Sequence, residues 1–551
     1  MGFSTVSITC IAILLTYVYI RNRIRAHTSQ IQQDAEAEKP GGRITDSASK
    51  PARLLRSKLV AALPHIVITP ETRVAFEGAV NAYWDQKACE VVPSCVVQPR
   101  NVWELAKVVK VLRREFDLRE KEDDDKERVG TPLFAVRAGG HSPVVGASSV
   151  DGGVLIDLAL LKEVAPAQDG KTVAIGAGCK WIDVYKVLDD KAIAVAGGRN
   201  SAVGVAGLTL GGGLSFFSPR FGFVCSNMIE YELVLADGTI TTASATRNPD
   251  LWRALKGGSN NFGIVTRFVA RSFPCKHIWT GFLYLPSWQA QKVLAAFYDH
   301  VNKSVQSADE PALDENAAGP LVGFTYLQQL GIQAIAVNLA HTNPPEGKTW
   351  PACWQASGFS KLQRFWSTCT VRTVTSATDE MSVLNPPGRR QEFATTTVKN
   401  DAATLEAVHK VYRDTILVFR TQNIKKLSWT LGLQPLVSDW ARTGDPNVLG
   451  LESMADDEPL VLVSFTVNWA VADDDEFVHS RTRRAVEQID GFANEHGTSH
   501  PYRHLNYCAS WQDPLAGYAR HNKIFLQHVS RTVDPDGLFQ TGCTGGFKLG
   551  L

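Results

Sequence analysis

A chain of 551 residues is too long for one ordinary core, so two or three domains are expected. It is 44% hydrophobic and 21% charged with a formal net charge of +1, which excludes a basic field for nucleic acid and a charge-driven disordered chain. Ten cysteines spread over this length exclude a small disulfide scaffold. Cys89 and Cys95 are spaced either to pair or to stand as two separate buried thiols.

The stretch "GFSTVSITCIAILLTYVYI" is uncharged, and as a helix Phe3 to Ile20 would span about 27 Å, a thin bilayer core. Arg21, Arg23 and Arg25 follow at once, with no positive stretch before the apolar run and no small-residue cleavage site after it. The pattern predicts an uncleaved anchor over residues 1–20, a single helix in the endoplasmic reticulum membrane with the body in the cytosol. Secretion after signal cleavage is the alternative, and only then would the sequon at Asn302 carry a glycan. Residues 21–54 read as a flexible tether.

"SCVVQP" reads as a strand leading into a helix over "NVWELAKVVKVLRREF", with Asn101 as its cap and Glu104 at capping-box distance. The mixed-charge run "REKEDDDKER" reads as a solvated loop. Strands follow at "LFAVRAGG" and "GVLIDLALL". "TVAIGAGCKWIDVYKVLDDKAIAVAGG" then reads as strand, loop, helix, strand. "YELVLADGTITTA" reads as a hairpin turning at Asp237-Gly238. Residues 55–272 therefore form one α+β unit. From 273 to 499, runs such as "PLVGFTYLQQ", "IQAIAVNLAH" and "PLVLVSFTVNWAV" alternate with helical stretches, predicting a second α+β unit with helices on one face of a sheet. Residues 500–551 are expected to return to the first unit.

Two glycine-rich stretches carry the chemistry. "FAVRAGGHS" puts His141 at the tip of a loop whose paired glycines let backbone approach a ligand. "GGRNSAVGVAGLTLGGGLSFFSPRFG" lacks the G-x-G-x-x-G spacing of a dinucleotide fingerprint, and Pro219 and Gly222 prevent a long helix after it. Two separated glycine loops, each after a strand, can instead hold a diphosphate between their amides.

With "ADGTI" (236–240), "LKGGSNNFGIVT" (255–266), "LNYCASWQDPLAGY" (505–518) and "DPDGLFQTG" (534–542), these loops make the chain resemble a known family. This is the oxygen-dependent FAD-linked oxidoreductases with a PCMH-type FAD-binding domain, in the berberine-bridge-enzyme-like branch of fungal secondary-metabolism type. The resemblance covers roughly Leu59 to Lys548. It implies a vanillyl-alcohol-oxidase-like two-part FAD-binding domain plus the α+β substrate domain. It assigns to FAD the positions Arg137, Ala138, Gly139, Gly140, His141 and Ser142 in the first loop. In the second loop it assigns Asn200, Val203, Gly204, Gly207, Thr209, Gly212 and Gly213, then Gly222, Asn227, Gly263 and Ile264. His141 is implied to bond the flavin 8α-methyl. Family members often carry a second link through a cysteine just before "VGV"; here that position is Asn200, and Cys225 lies too far along, so one covalent bond is expected. Val203 matches a position held to control oxygen access.

Asn506 and Tyr507 match the family's "NY" pair, with Tyr507 as the expected base. A tyrosine titrates near 10 and needs a cation or the flavin beside it to serve, failing which it is simply a buried phenol. The implied activity is hydride transfer from a small organic molecule, a polyketide or alkaloid intermediate, to flavin N5, with O2 reduced to H2O2. A flavoprotein coupled to cyclisation and a carbohydrate oxidase are the alternatives; the second would need a Trp-rich cleft from Trp350, Trp354, Trp366, Trp429 and Trp440. His496, His500 and His504 are spaced four apart, but Gly497 and Pro501 interrupt a common helical face, so no metal is expected. The expected partners are the substrate, O2 and, through residues 1–20, a membrane.

Overall fold

The computed structural model of the chain describes residues 48–121, 132–303, 313–347, 349–452, 454–455 and 458–550. The expected anchor, most of the tether and the charged run after Lys121 lie outside these residues. Among the described residues no helix is long and apolar enough to cross a membrane. The end of the expected tether, residues 50–54, is helical. Lys50–Ala62 is a helix, capped where Ser49 Oγ accepts from the Ala52 amide, with Pro51 in its first turn and Ala52, Leu55 and Leu59 buried.

Three sheets follow in chain order. The first runs Val67–Ile68, Cys95–Val97, Val154–Asp157, Phe134–Arg137, and its last three strands are parallel. Parallel neighbours need a crossover, which the helix Val102–Lys121 supplies. Asn101 Oδ1 caps it by accepting from the Glu104 amide, while the Glu104 carboxylate reaches back to the Arg100 amide instead of closing the reciprocal box on Asn101. The sheet is buried on both faces. Cys95 and Val97 point into the main core, and Val96 points into a smaller cluster that contains Cys89. Cys89 and Cys95 are therefore on opposite faces, two free buried thiols.

The second sheet is antiparallel, in the order Val164–Pro166, Thr172–Gly176, Ile264–Pro274, Met228–Val234, Ile240–Ser244. The expected hairpin is its edge, with Gly238 at a positive φ of 80° in a five-residue connection.

The third sheet has nine strands between Ile278 and His500. Its strands alternate with period two, and the alternation separates two environments. Trp429, Leu431 and Leu433, with Val461, Val463, Phe465 and Val467, pack against the helices Ala290–Asn302, Ala402–Arg420 and Asp475–Glu495. The intervening Ser428, Thr430, Gly432, Gln434, Ser464, Thr466 and Asn468 face a cavity. Helices on one face is the arrangement the sequence predicts; that the other face is the wall of a cavity is not legible in it.

Candidate active site

The first glycine loop leaves the strand Phe134–Arg137 and the second precedes the helix Val205–Leu210. They touch backbone to backbone: a Cβ on Gly139 would lie 2.4 Å from Gly204 Cα. Neither position can carry a side chain, and the loops form one floor. Gly140, at φ 64°, turns the chain so that its carbonyl accepts from the Trp84 amide and His141 stacks on the Trp84 ring, centroids 4.3 Å apart. Enclosure, with Lys180 nearby, pushes the His141 imidazole down to about 3, so it is neutral.

Above this floor lies a cavity of 930 Å³, roofed by the polar face of the large sheet and flanked by the returning C-terminal segment. That segment is tied down where Asn506 Nδ2 donates to the Gly207 carbonyl at 3.0 Å. Asn506 Oδ1 is buried with no partner among the described residues. Tyr507 opens into the same cavity, and Arg199 Nη2 donates both to Tyr507 Oη at 3.1 Å and to Gln434 Oε1 at 2.5 Å. An arginine cannot accept, so the phenolic oxygen is the acceptor here and its own O–H is free to point elsewhere. Behind Tyr507 stands His504, ring centroids 4.7 Å apart, with Nδ1 3.0 Å from Tyr502 Oη. Burial first, then Arg199, holds His504 down at about 3, while burial pushes the Tyr502 phenol up. Tyr502 therefore donates and a neutral His504 accepts, leaving Nε2–H as a donor.

A family model described as an FAD binding domain matches residues 93–244, which contain both glycine loops. The chain is 33% identical over 482 residues to "FAD-dependent monooxygenase tpcD" of Cochliobolus heterostrophus, covering 86% of this chain and 88% of that one. The chain belongs to the berberine-bridge-enzyme-like FAD-linked oxidoreductases. It is also 32% identical over 419 residues to "Bifunctional solanapyrone synthase" of Alternaria solani, 76% of each chain. In fold it is similar to berberine bridge enzyme from Eschscholzia californica, with a TM-score of 0.66 at 14% identity, covering 90% of this chain and 100% of that one. The xylooligosaccharide oxidase of Myceliophthora thermophila gives the same TM-score at 18% identity, covering 90% and 99%. This protein is thus an FAD-dependent oxidoreductase of fungal secondary-metabolism type.

Of the positions expected to meet the cofactor, this berberine-bridge-like chain brings twelve to the cavity wall: Ala138, Gly139, Gly140, His141, Ser142, Asn200, Val203, Gly204, Gly207, Gly213, Gly263 and Ile264. Five are not there. Arg137 is turned away and fully engaged, donating to Asp157 Oδ2 at 2.9 Å and to the Ala79 carbonyl, and covering the Tyr83 ring. A buried guanidinium needs such a counter-charge, and it fixes the strand end instead of touching a ligand. Thr209 is buried in its short helix, and Gly212 backs onto Leu449. Gly222, at φ 75°, ends a single helical turn against the Thr443 carbonyl. Asn227 clamps that turn by donating to the Phe221 and Phe223 carbonyls. These last residues hold the second loop's exit, so their motif match reflects loop architecture.

Asn200 accepts from the Ala202 amide, and Cys225 is in the core. Of the five tryptophans only Trp366 lines the cavity; Trp354 and Trp429 are fully buried in the helix-side core. The three spaced histidines also separate: His496 stacks on Phe492 at a helix end, His500 sits in a two-residue strand, and His504 is in the active site.

Sequence reasoning missed Arg199 and Gln434. Arg199 lay inside a quoted motif, where a cation amid glycines was the available signal. Gln434 had none, because its meeting with Arg199 spans 235 residues.

Proposed function

We propose that this protein is an FAD oxidase that dehydrogenates a small, largely apolar secondary-metabolite intermediate, with Tyr507 as the base. The observation that carries this is Tyr507 Oη, held by Arg199 in a cavity shared between the glycine floor and the large sheet. The residues present fit FAD: two glycine loops too close for any side chain, and Asn506 Oδ1 as an orphan acceptor for a ring N–H. When bound, FAD supplies a two-electron acceptor that takes hydride from a substrate carbon and passes the electrons to O2, giving H2O2.

Within this frame the amides around Gly139, Gly140 and Gly204 would meet the diphosphate. His141, neutral and at the cavity wall, is a competent nucleophile for a single covalent tether. The absence of cysteine at position 200 supports one link, as does the burial that pushes up the cavity thiols Cys508 and Cys543. To act as base Tyr507 enters the step as its phenolate, with that negative charge met by the Arg199 guanidinium, and Oη takes the substrate proton as hydride leaves, ending as the neutral phenol. Val203 at the wall leaves space for O2.

A second reading, oxidation coupled to ring closure, is favoured by the likeness to a bifunctional synthase. The monooxygenase names of relatives raise a third outcome. Turnover under 18O2 separates oxidase from monooxygenase, and the structure of the product shows whether a ring has closed: an oxidase releases one H2O2 per substrate oxidised and its product carries no label, whereas a monooxygenase product gains one labelled oxygen. Acid precipitation tests the tether. Colour stays in the pellet of the unmodified protein and leaves it in His141→Ala; release from both defeats the covalent link. For the N-terminal stretch we propose membrane attachment with a cytosolic body, tested by fractionation with and without residues 1–47.

A further inference from the structure

The active-site cavity is lined by three charged side chains, Arg199, Arg389 and Lys426, all cationic; no aspartate or glutamate lines it among the described residues. The whole chain holds 57 basic and 56 acidic residues, so this one-sidedness is local. Arg199 makes it specific. It is only half-buried, and its contacts among the described residues include no carboxylate: they are the Gln434 amide and the Tyr507 hydroxyl. The buried arginines elsewhere are paired: Arg137 with Asp157, and Arg390 with Glu90 and Asp475. A guanidinium drawn out of water without a counter-charge is costly unless a ligand provides one. A planar fork with unused N–H donors selects an oxyanion. The neighbouring His504 stays neutral in this field and adds an N–H donor, not a carboxylate.

The rest of the wall describes the body of the ligand. Tyr284 and Trp366 stack at 4.5 Å, and the exposed Val383 and Leu384 reach from the surface into the cavity. Such a mouth accepts a flat apolar framework.

We propose that the substrate is an apolar, aromatic or conjugated molecule bearing an acidic oxygen, a phenol, enol or carboxylate, which Arg199 anchors beside Tyr507, and that amines are rejected. This rests on the reading of the cavity as a flavoenzyme's substrate site, and it removes the alkaloid half of the expectation from sequence. An ammonium would meet the Arg199 guanidinium and no acceptor carboxylate on the described wall, so discrimination comes from repulsion as well as attraction.

The test uses the full-chain holoenzyme, whose flavin spectrum is recorded first. It is then titrated at neutral pH with 2-naphthoate, 2-naphthol and 2-naphthylmethylammonium, following the perturbation of the flavin band. Naphthoate or naphthol is expected to bind at least about tenfold more tightly than the ammonium, a difference of about 1.4 kcal/mol. Arg199→Gln should erase the preference, Arg199→Lys should keep most of it, and Arg199→Glu should invert it. Which of the two oxygen probes binds better tells carboxylate from phenol. Equal or tighter binding of the ammonium overturns the proposal. So does an Arg199→Gln protein that keeps the preference while its flavin potential shifts, because Arg199 would then serve the cofactor alone. If Arg199→Gln does not fold, the three-probe comparison on the unmodified enzyme still decides. A preparation without flavin instead defeats the flavoenzyme reading, and the initial spectrum tells the two failures apart.

Discussion

The floor and the roof of the cavity are built by different physics. The floor is backbone: two glycine loops in van der Waals contact, their shape set by positions that tolerate no Cβ. The roof is side chains: every second residue of several antiparallel strands, each free to vary while its neighbours hold the helix-side core. The floor therefore has little tolerance and a fixed role. The roof can be re-lettered without disturbing the sheet, which is how one scaffold serves unrelated substrates.

The strongest way to break this contrast is Gly139→Ala. The new methyl would sit 2.4 Å from Gly204 Cα, and backbone on both sides leaves no rotamer to relieve it. Loss of flavin, or of soluble protein, is expected, read as the flavin-to-protein ratio; a yellow, folded Gly139→Ala protein would show that the loops are not in enforced contact. Tyr507→Phe should next lower kcat by about 10² to 10⁴ while flavin content stays full. Unchanged turnover would remove Tyr507 as the base.

On the roof, Trp366→Ala should act on KM. Losing its stack on Tyr284 is worth about 1 kcal/mol, a several-fold rise in KM with kcat and flavin nearly unchanged. A loss of flavin instead would mean that floor and roof are not separable.

The smallest effect concerns acid. His300, His409 and His504 are buried and held neutral, at about 4, 4 and 3, chiefly by burial. The unfolded chain protonates these histidines below about pH 6.5 and the folded one does not until far lower, so stability falls as pH drops from about 6.5 towards 4. Each group contributes at most about 1.4 kcal/mol per pH unit. His300 stacks on Trp354 and its Nε2 has no partner among the described residues, so His300→Phe should flatten the slope measured by urea unfolding at several pH values. An unaltered slope would mean that His300 is protonated in the folded protein.

Legibility followed the same division. The α+β class, the Asn101 cap, the hairpin before Ser244 and the helix-covered sheet were all readable, because each rests on local chemistry or short-period patterning. The glycine loops and His141 were readable because backbone approach demands glycine in a fixed spacing. Arg137 and Asn227 misled for the converse reason: they sit in the motif, but their side chains turn to Asp157 and to backbone carbonyls.

Sequence by itself thus determined that this chain carries two glycine loops, a histidine between them and strands of alternating polarity, all features a few residues long. Only the tertiary structure decided which face of those strands meets the flavin floor, and that Arg199, Gln434 and Tyr507 converge across 235 and 308 residues. Period-two alternation says that a strand has two faces. Which face is core and which is cavity depends on where the helices and the first domain dock, and that is settled by packing alone.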